Sequence, residues 1–224
     1  MGISRAWMLS ALLRLSLLWR TLAELGLICC NFALHSKSSK TRLLNEYNSH
    51  PKGLSFVVIG MNDEKSPLFP DEVRRLISEH RIFSGGRRHR ELVGELLPEG
   101  AVWIDIVVPL SDVYAQYRHY DEPVLVFASG DPLFFGFTTT LMREFEGRVT
   151  KTFPSFSSLQ MLAHALRLPY HDMRVVSLTG RPWHEFDRAL IERAHKVGVL
   201  TDRKNTPATI AKRMLDYGYT AYQM

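Results

Sequence analysis

Short apolar runs alternate with amphipathic stretches from Leu54 onward. The pattern is clearest at Val124-Leu125-Val126-Phe127-Ala128, five residues without charge, as expected of a strand buried on both faces of a parallel sheet. Ser129-Gly130-Asp131-Pro132 follows, then an apolar stretch, Leu133 to Phe145, read as a helix with Asp131 as cap and Pro132 in its first turn. Gly130 removes a side chain where strand gives way to helix, so a ligand can approach the backbone there; in open α/β sheets ligands sit at this carboxyl edge.

The rest of the chain has the same grammar. Leu54–Gly60, Arg81–Ser84 and Ala101–Val108 read as strands in the first half, with helices opening at Pro70 and Arg88 and a third, capped by Ser111, running through Tyr120. In the second half, Arg148–Phe153, Met173–Thr179 and Lys196–Thr201 read as strands. Ser157 or Ser158 caps one helix, Glu185–His195 forms another, and Thr206 with Pro207 opens a third. Tyr219–Met224 reads as a strand just begun, suggesting a truncated second domain. This β-α order predicts a mostly parallel sheet with helices on both faces. Strand ends fall at Gly60, Gly85-Gly86, Ser129-Gly130-Asp131, Ser157-Ser158 and Asn205-Thr206-Pro207; in parallel sheets these ends line one cleft.

Residues 1–53 stand apart. They hold seven basic and two acidic residues, whereas residues 54–224 hold 21 of each, so the whole formal charge of +5 belongs to the first segment. A neutral remainder implies no nucleic-acid surface. Arg5, Arg14, Arg20 and Glu24 interrupt the Leu-rich start, leaving no apolar run of bilayer length. We read 1–53 as an extension and linker outside the folded part, with no membrane role. The two cysteines, Cys29 and Cys30, both lie in it; a cysteine-free remainder suits a reducing cytoplasm. Nine histidines are scattered with no H-x-x-x-H pair, so no metal site is expected. The chain has no G-x-S-x-G elbow, no Lys-Ser/Thr after the 130 glycine and no G-x-G-x-x-G after the first strand, which argues against serine hydrolases, P-loops and dinucleotide sites.

Five ordered segments, Ser84–His89 (SGGRRH), Ala128–Gly136 (ASGDPLFFG), Pro154–Pro169, Val175–Arg181 (VVSLTGR) and Leu200–Leu215 (LTDRKNTPATIAKRML), resemble the CbiE/CobL group of tetrapyrrole methylases, the C5-methyltransferases acting on precorrin-7 in cobalamin synthesis. The resemblance covers roughly residues 54–224. It implies two α/β domains, here 54–147 and 148–224, with S-adenosylmethionine in the cleft between them. Carried over by position, Gly60, Ser129, Gly130, Asp131, Pro132 and Phe134 face the cofactor from the first domain. Ser157 and Ser158 face it from the second, and Thr206 and Pro207 close the adenine side.

The substrate class is rich in carboxylates, which makes Arg87, Arg88 and His89 candidate clamps, since guanidinium pairs bidentately with carboxylate. A basic cluster at a helix start is also locally unfavourable, which a binding role explains. The implied chemistry asks for alignment of a sulfonium with a nucleophilic ring carbon, an effect that can contribute about 7–11 kcal/mol. It asks for no metal or covalent nucleophile, and no general base is assigned from sequence. Two features depart from the family pattern: Gly60 is followed by Met61-Asn62-Asp63-Glu64 rather than a G-x-G-P turn, and the sequence stops at Met224. Methylation of another tetrapyrrole or of RNA, or a non-catalytic remnant or subunit, are the other readings. In relatives the C15-methylating, decarboxylating (CbiT-type) partner is a separate protein or a fused domain. Whether the chain forms a homodimer is left open.

Overall fold

The computed structural model describes residues 53–65 and 67–224; the expectations for residues 1–52 lie outside the described residues. Five strands form one parallel sheet: β1 (Ser55–Met61), β2 (Ile82–Gly85), β3 (Val102–Asp105), β4 (Pro123–Ser129) and β5 (Val149–Phe153), in the order β3-β2-β4-β1-β5. Between them run α1 (Asp71–Glu79), α2 (Arg87–Val93), a 3-10 turn at Gly94–Leu96, α3 (Leu110–Tyr117) and α4 (Phe137–Glu144). A second parallel sheet pairs β6 (Arg174–Ser177) with β7 (Val197–Leu200). It is accompanied by α5 (Ser158–Leu166), α6 (His184–Ile191) and α7 (Pro207–Asp216). β5, which opens the second half of the chain by sequence, closes the edge of the first sheet beside β1.

The apolar runs are strands because both sheet faces are covered. Val124, Val126 and Ala128 turn to a core shared with Phe56, Val113 and Tyr117 of α3, and Leu141 of α4. Leu125 and Phe127, one residue out of phase, turn to the opposite core with Val73 and Ile77 of α1 and Val93 of α2. A third core joins Val176 of β6 and Leu178 to Phe186, Ala189 and Leu190 of α6 and Ile210 of α7. No helix among the described residues is long and apolar enough to cross a membrane.

Two local expectations are corrected. The helix expected from Leu133 begins at Phe137, with Gly136 at its N-cap. Asp131 spends its side chain one turn earlier: Oδ1 accepts the Leu133 N–H at 2.9 Å, an Asx turn that competes with helix capping. The GDPLFF segment is therefore a loop, and its Leu133 and Phe135 are exposed. Tyr219–Met224 is not a strand. Tyr219 and Tyr222 both pack on the third core, and the Tyr222 hydroxyl donates to the Ala194 carbonyl at 2.8 Å. Side chains three apart in a strand point to opposite faces, so an extended conformation would not bury both.

Candidate active site

The carboxyl ends of β1, β4 and β5 meet around Gly60. A Cβ built there would lie 2.1 Å from the Gly130 carbonyl oxygen, 2.8 Å from Pro132 Cδ and 2.9 Å from the Ser155 nitrogen. Only glycine lets three strand-end loops close on one point. Gly130 continues the contact: it has a φ of +65°, and its own Cβ would lie 3.1 Å from Ser157 Cα. Its N–H donates to the Met61 carbonyl at 2.7 Å, tying the β4 loop to the end of β1. The Cβ direction of Gly130 thus faces the β5–α5 loop. This glycine lets the loops pack.

Each remaining candidate has a definite local task. The Ser157 hydroxyl accepts the Gln160 N–H at 3.3 Å while Gln160 Oε1 accepts the Ser157 N–H at 2.8 Å, a capping box that starts α5. Ser157 is buried and so committed to structure, whereas Ser158 beside it is exposed. Thr206 caps α7 by accepting the Thr209 N–H, with Pro207 in the first position. Pro132 is buried and Phe134 half-buried, packed edge-on to Phe135 at 5.1 Å. Phe135 has a φ of +57°, an uncommon backbone for an aromatic residue. The Arg181 guanidinium, on the loop after β6, lies 5.4 Å over its ring.

The basic trio sits beside this junction. His89 accepts the Gly86 N–H on Nδ1 at 3.1 Å and bonds Ser129 Oγ through Nε2 at 3.0 Å. Burial is the main cause holding its pKa below the ordinary imidazole value, with Asp63 opposing and Arg88 assisting. Arg88 pairs with Asp63 at 2.9 Å and Arg87 with Glu91 at 3.1 Å, both at exposed positions. With Lys65, Leu92 and Arg203 these four line an open pocket of about 630 Å³. Four cations against two carboxylates leave it net positive.

Arg203 and Asp63 were missed from sequence. Arg203 had a usable signal, lying three residues before the flagged Thr206, whereas Asp63 was seen only as a departure from a glycine-rich turn. That departure is partly internal: Met61 is 3% exposed and packs in the second core, so only Asn62, Asp63 and Glu64 alter the surface. The Arg203 loop is braced by Asp202, whose carboxylate accepts the Asn205, Lys204 and Gly180 N–H groups at 2.6, 2.9 and 2.9 Å.

Comparison with known proteins assigns the lineage. The description of Tetrapyrrole (Corrin/Porphyrin) Methylases matches residues 56–223. A Sinorhizobium precorrin-6Y C(5,15)-methyltransferase [decarboxylating] is 33% identical over 176 residues, covering 77% of this chain and 42% of that protein. The chain thus spans less than half of that relative. A Salmonella typhimurium cobalt-precorrin-7 C(5)-methyltransferase is 30% identical over 165 residues, covering 72% of this chain and 78% of that protein. Among solved structures, the methyltransferase CobJ superposes with a TM-score of 0.54 at 18% identity, covering 72% of this chain and 75% of that one. A Thermus thermophilus uroporphyrin-III C-methyl transferase complexed with S-adenosyl homocysteine gives 0.53 at 22% identity, covering 73% and 77%. These two share the fold. With the family match spanning three quarters of the sequence, the chain belongs to the tetrapyrrole (corrin/porphyrin) methylases.

Proposed function

We propose that the chain is an S-adenosylmethionine-dependent C-methyltransferase acting on C5 of precorrin-7 or cobalt-precorrin-7 in cobalamin synthesis. The observation that carries this reading is the junction at Gly60, where the strand-end loops of β1, β4 and β5 are held together beside a basic pocket. The donor set fits a nucleoside bearing an amino-acid tail: the exposed Ser129 and Ser158 hydroxyls for the polar parts, and exposed Leu133 and Phe135 with half-buried Phe134 for the apolar ones. Two relatives named for C5 methylation support the substrate.

In this reading the cofactor supplies an electrophilic methyl group, and everything else falls to alignment. Gly60, Gly130 and Pro132 shape the floor, Ser129, Asp131 and Phe134 line it from the β4 side, and Ser157 and Ser158 bound it from the β5–α5 loop. Thr206 and Pro207 close it at the start of α7. The half built on the first sheet, which β5 closes, and the half built on β6 and β7 then act as the two lobes of the cleft. Arg87 and Arg88, beside His89, receive the carboxylated face of the macrocycle, with Lys65 and Arg203 adding positive charge. A CbiT-type C15-methylating partner, a homodimer, a cytoplasmic setting and the absence of nucleic-acid or membrane partners belong to the same proposal.

Calorimetric titration of S-adenosylhomocysteine into the full chain tests the reading, followed by transfer of one methyl group to precorrin-7 read by mass spectrometry. Micromolar binding that is lost in Gly130→Val and weakened in Asp131→Ala is expected. A folded wild-type protein that binds nothing overturns the proposal.

A further inference from the structure

Both ring nitrogens of His89 are committed. The Gly86 N–H has only a proton to offer, so Nδ1 must be the bare nitrogen and the hydrogen of the neutral ring sits on Nε2. Nε2–H therefore donates to Ser129 Oγ, which leaves the serine's own hydrogen unspent. Ser129 is the last residue of β4, is exposed, and directly precedes Gly130, so the serine hydrogen is available where the strand ends meet.

We propose that His89 is a positioning residue for the methyl-donor site: as neutral imidazole it fixes Ser129 Oγ as an acceptor and so aims the Ser129 hydroxyl as a donor toward the bound ligand. This rests on the reading of the Gly130 loop as the cofactor site, and it gives His89 a task other than gripping substrate carboxylates.

Geometry makes the device sensitive to pH. A second proton on Nδ1 would set an N–H against the Gly86 N–H, two donors with no acceptor between them, and the ring would have to turn away from Ser129. The charged groups facing the ring are Asp63, from the loop after β1, and Arg88, its neighbour in α2. The other neighbouring groups are uncharged: Ser129 of β4, Gly85 of β2, and the Trp103 indole of β3, which reaches the same point beside Gly85 as the His89 Cβ. Asp63 favours the imidazolium but is itself paired with Arg88. Burial outweighs it and keeps the ring neutral below the ordinary histidine range.

The test is titration of S-adenosylhomocysteine into the full chain at about pH 8 and about pH 5, the span over which histidines change charge. Wild-type affinity should fall on acidification. At the higher pH, Ser129→Ala and His89→Ala should each weaken binding roughly fivefold to tenfold, the worth of one hydrogen bond, and the double variant should lose no more than either alone. His89→Gln, whose amide nitrogen substitutes for Nε2–H and does not titrate, should keep wild-type affinity and abolish the pH dependence. Unchanged binding in His89→Ala, additive losses in the double variant, or a His89→Gln protein as pH-dependent as wild type would each overturn the proposal. Nitrogen chemical shifts of the ligand-free protein give an independent reading: the Nε2–H tautomer is expected, and an Nδ1–H tautomer refutes the arrangement whatever binds. Failure of wild type to bind at all removes the cofactor site, and this role with it. Binding without His89 dependence removes only the role.

Discussion

Adding one methyl group at Gly60 separates the convergence of loops from simple backbone permissiveness. In Gly60→Ala the new carbon would sit 2.1 Å from the Gly130 carbonyl oxygen, well inside contact distance, and under 3 Å from Pro132 Cδ and the Ser155 nitrogen. Two of the three obstacles are backbone and the third is a ring, so no side chain can swing aside. Overpacking of this kind costs about 3 kcal/mol, the upper end of the usual range for an inserted methylene. For a folded part of this size that lowers Tm by about 6–12 °C. Two control substitutions divide the effect. Gly147→Ala meets no atom within 4 Å but has a φ of +70°, so it should show backbone strain alone, about 1 kcal/mol. Gly94→Ala has neither problem and should be neutral or slightly stabilising. Scanning calorimetry of the full chain ranks the three, and S-adenosylhomocysteine titration reads whether the loops still converge. If Gly60→Ala melts no lower than Gly147→Ala and binds as wild type, the junction does not organise the site.

Two further outcomes follow from particular hydrogen bonds. The buried Ser84 hydroxyl donates to the Ile104 carbonyl at 2.8 Å, so at 2.6 Å it is the acceptor for Tyr117 O–H, and burial pushes the Tyr117 pKa up. Tyr117→Phe should cost about 1 kcal/mol, while Ser84→Ala, which strands a buried phenol, should cost up to about 3 kcal/mol; urea denaturation of both checks the order. The Asn205 N–H and the other donors around Asp202 hold its carboxyl below its ordinary pKa of 3.8. A carboxyl depressed in the folded state adds stability that is present above its unfolded pKa and lost as pH falls through the folded one. The urea midpoints of wild type and Asp202→Ala should therefore differ at neutral pH and converge in acid; a constant difference would refute the brace.

Burial on both faces writes itself into sequence, which is why Val124–Ala128 was legible as a strand without neighbours. Capping is equally local: Ser157 and Thr206 each accept the amide three residues on; Thr206 was read as the cap, and Ser157 was one of the two serines the sequence offered. Asp131 was misread because an Asx turn and an N-cap use the same side chain, and the sequence alone does not choose between them. The β3-β2-β4-β1-β5 order and the pairing of β5 with β1 leave no trace in periodicity. The candidate site was legible as a set of strand ends, but not as a set of contacts. Nothing local to Arg88 announces Asp63 as its partner, or Ser129 as the partner of His89.

The loop after β1 shows how a departure from a family turn can leave the fold intact and act on charge. A turn of the G-x-G-P kind needs its glycines for backbone shape, yet here Gly60 alone meets the three-loop contact and Met61 continues the strand, paired with Ser129 in register. Met61 then serves twice: its side chain fills the core beneath and its carbonyl holds the Gly130 N–H. The junction is thus kept by backbone and burial, both indifferent to what Asn62, Asp63 and Glu64 carry. Those three lie at the surface beside the proposed site, where Asp63 pairs with Arg88, one of the cations proposed to receive a substrate carboxylate. An exposed pair of this kind is worth at most about 1 kcal/mol, so a substrate carboxylate can displace Asp63 at little cost, while ligands without one meet a guanidinium already satisfied. On the proposed reading, the departure therefore bears on which ligand enters rather than on whether the site assembles.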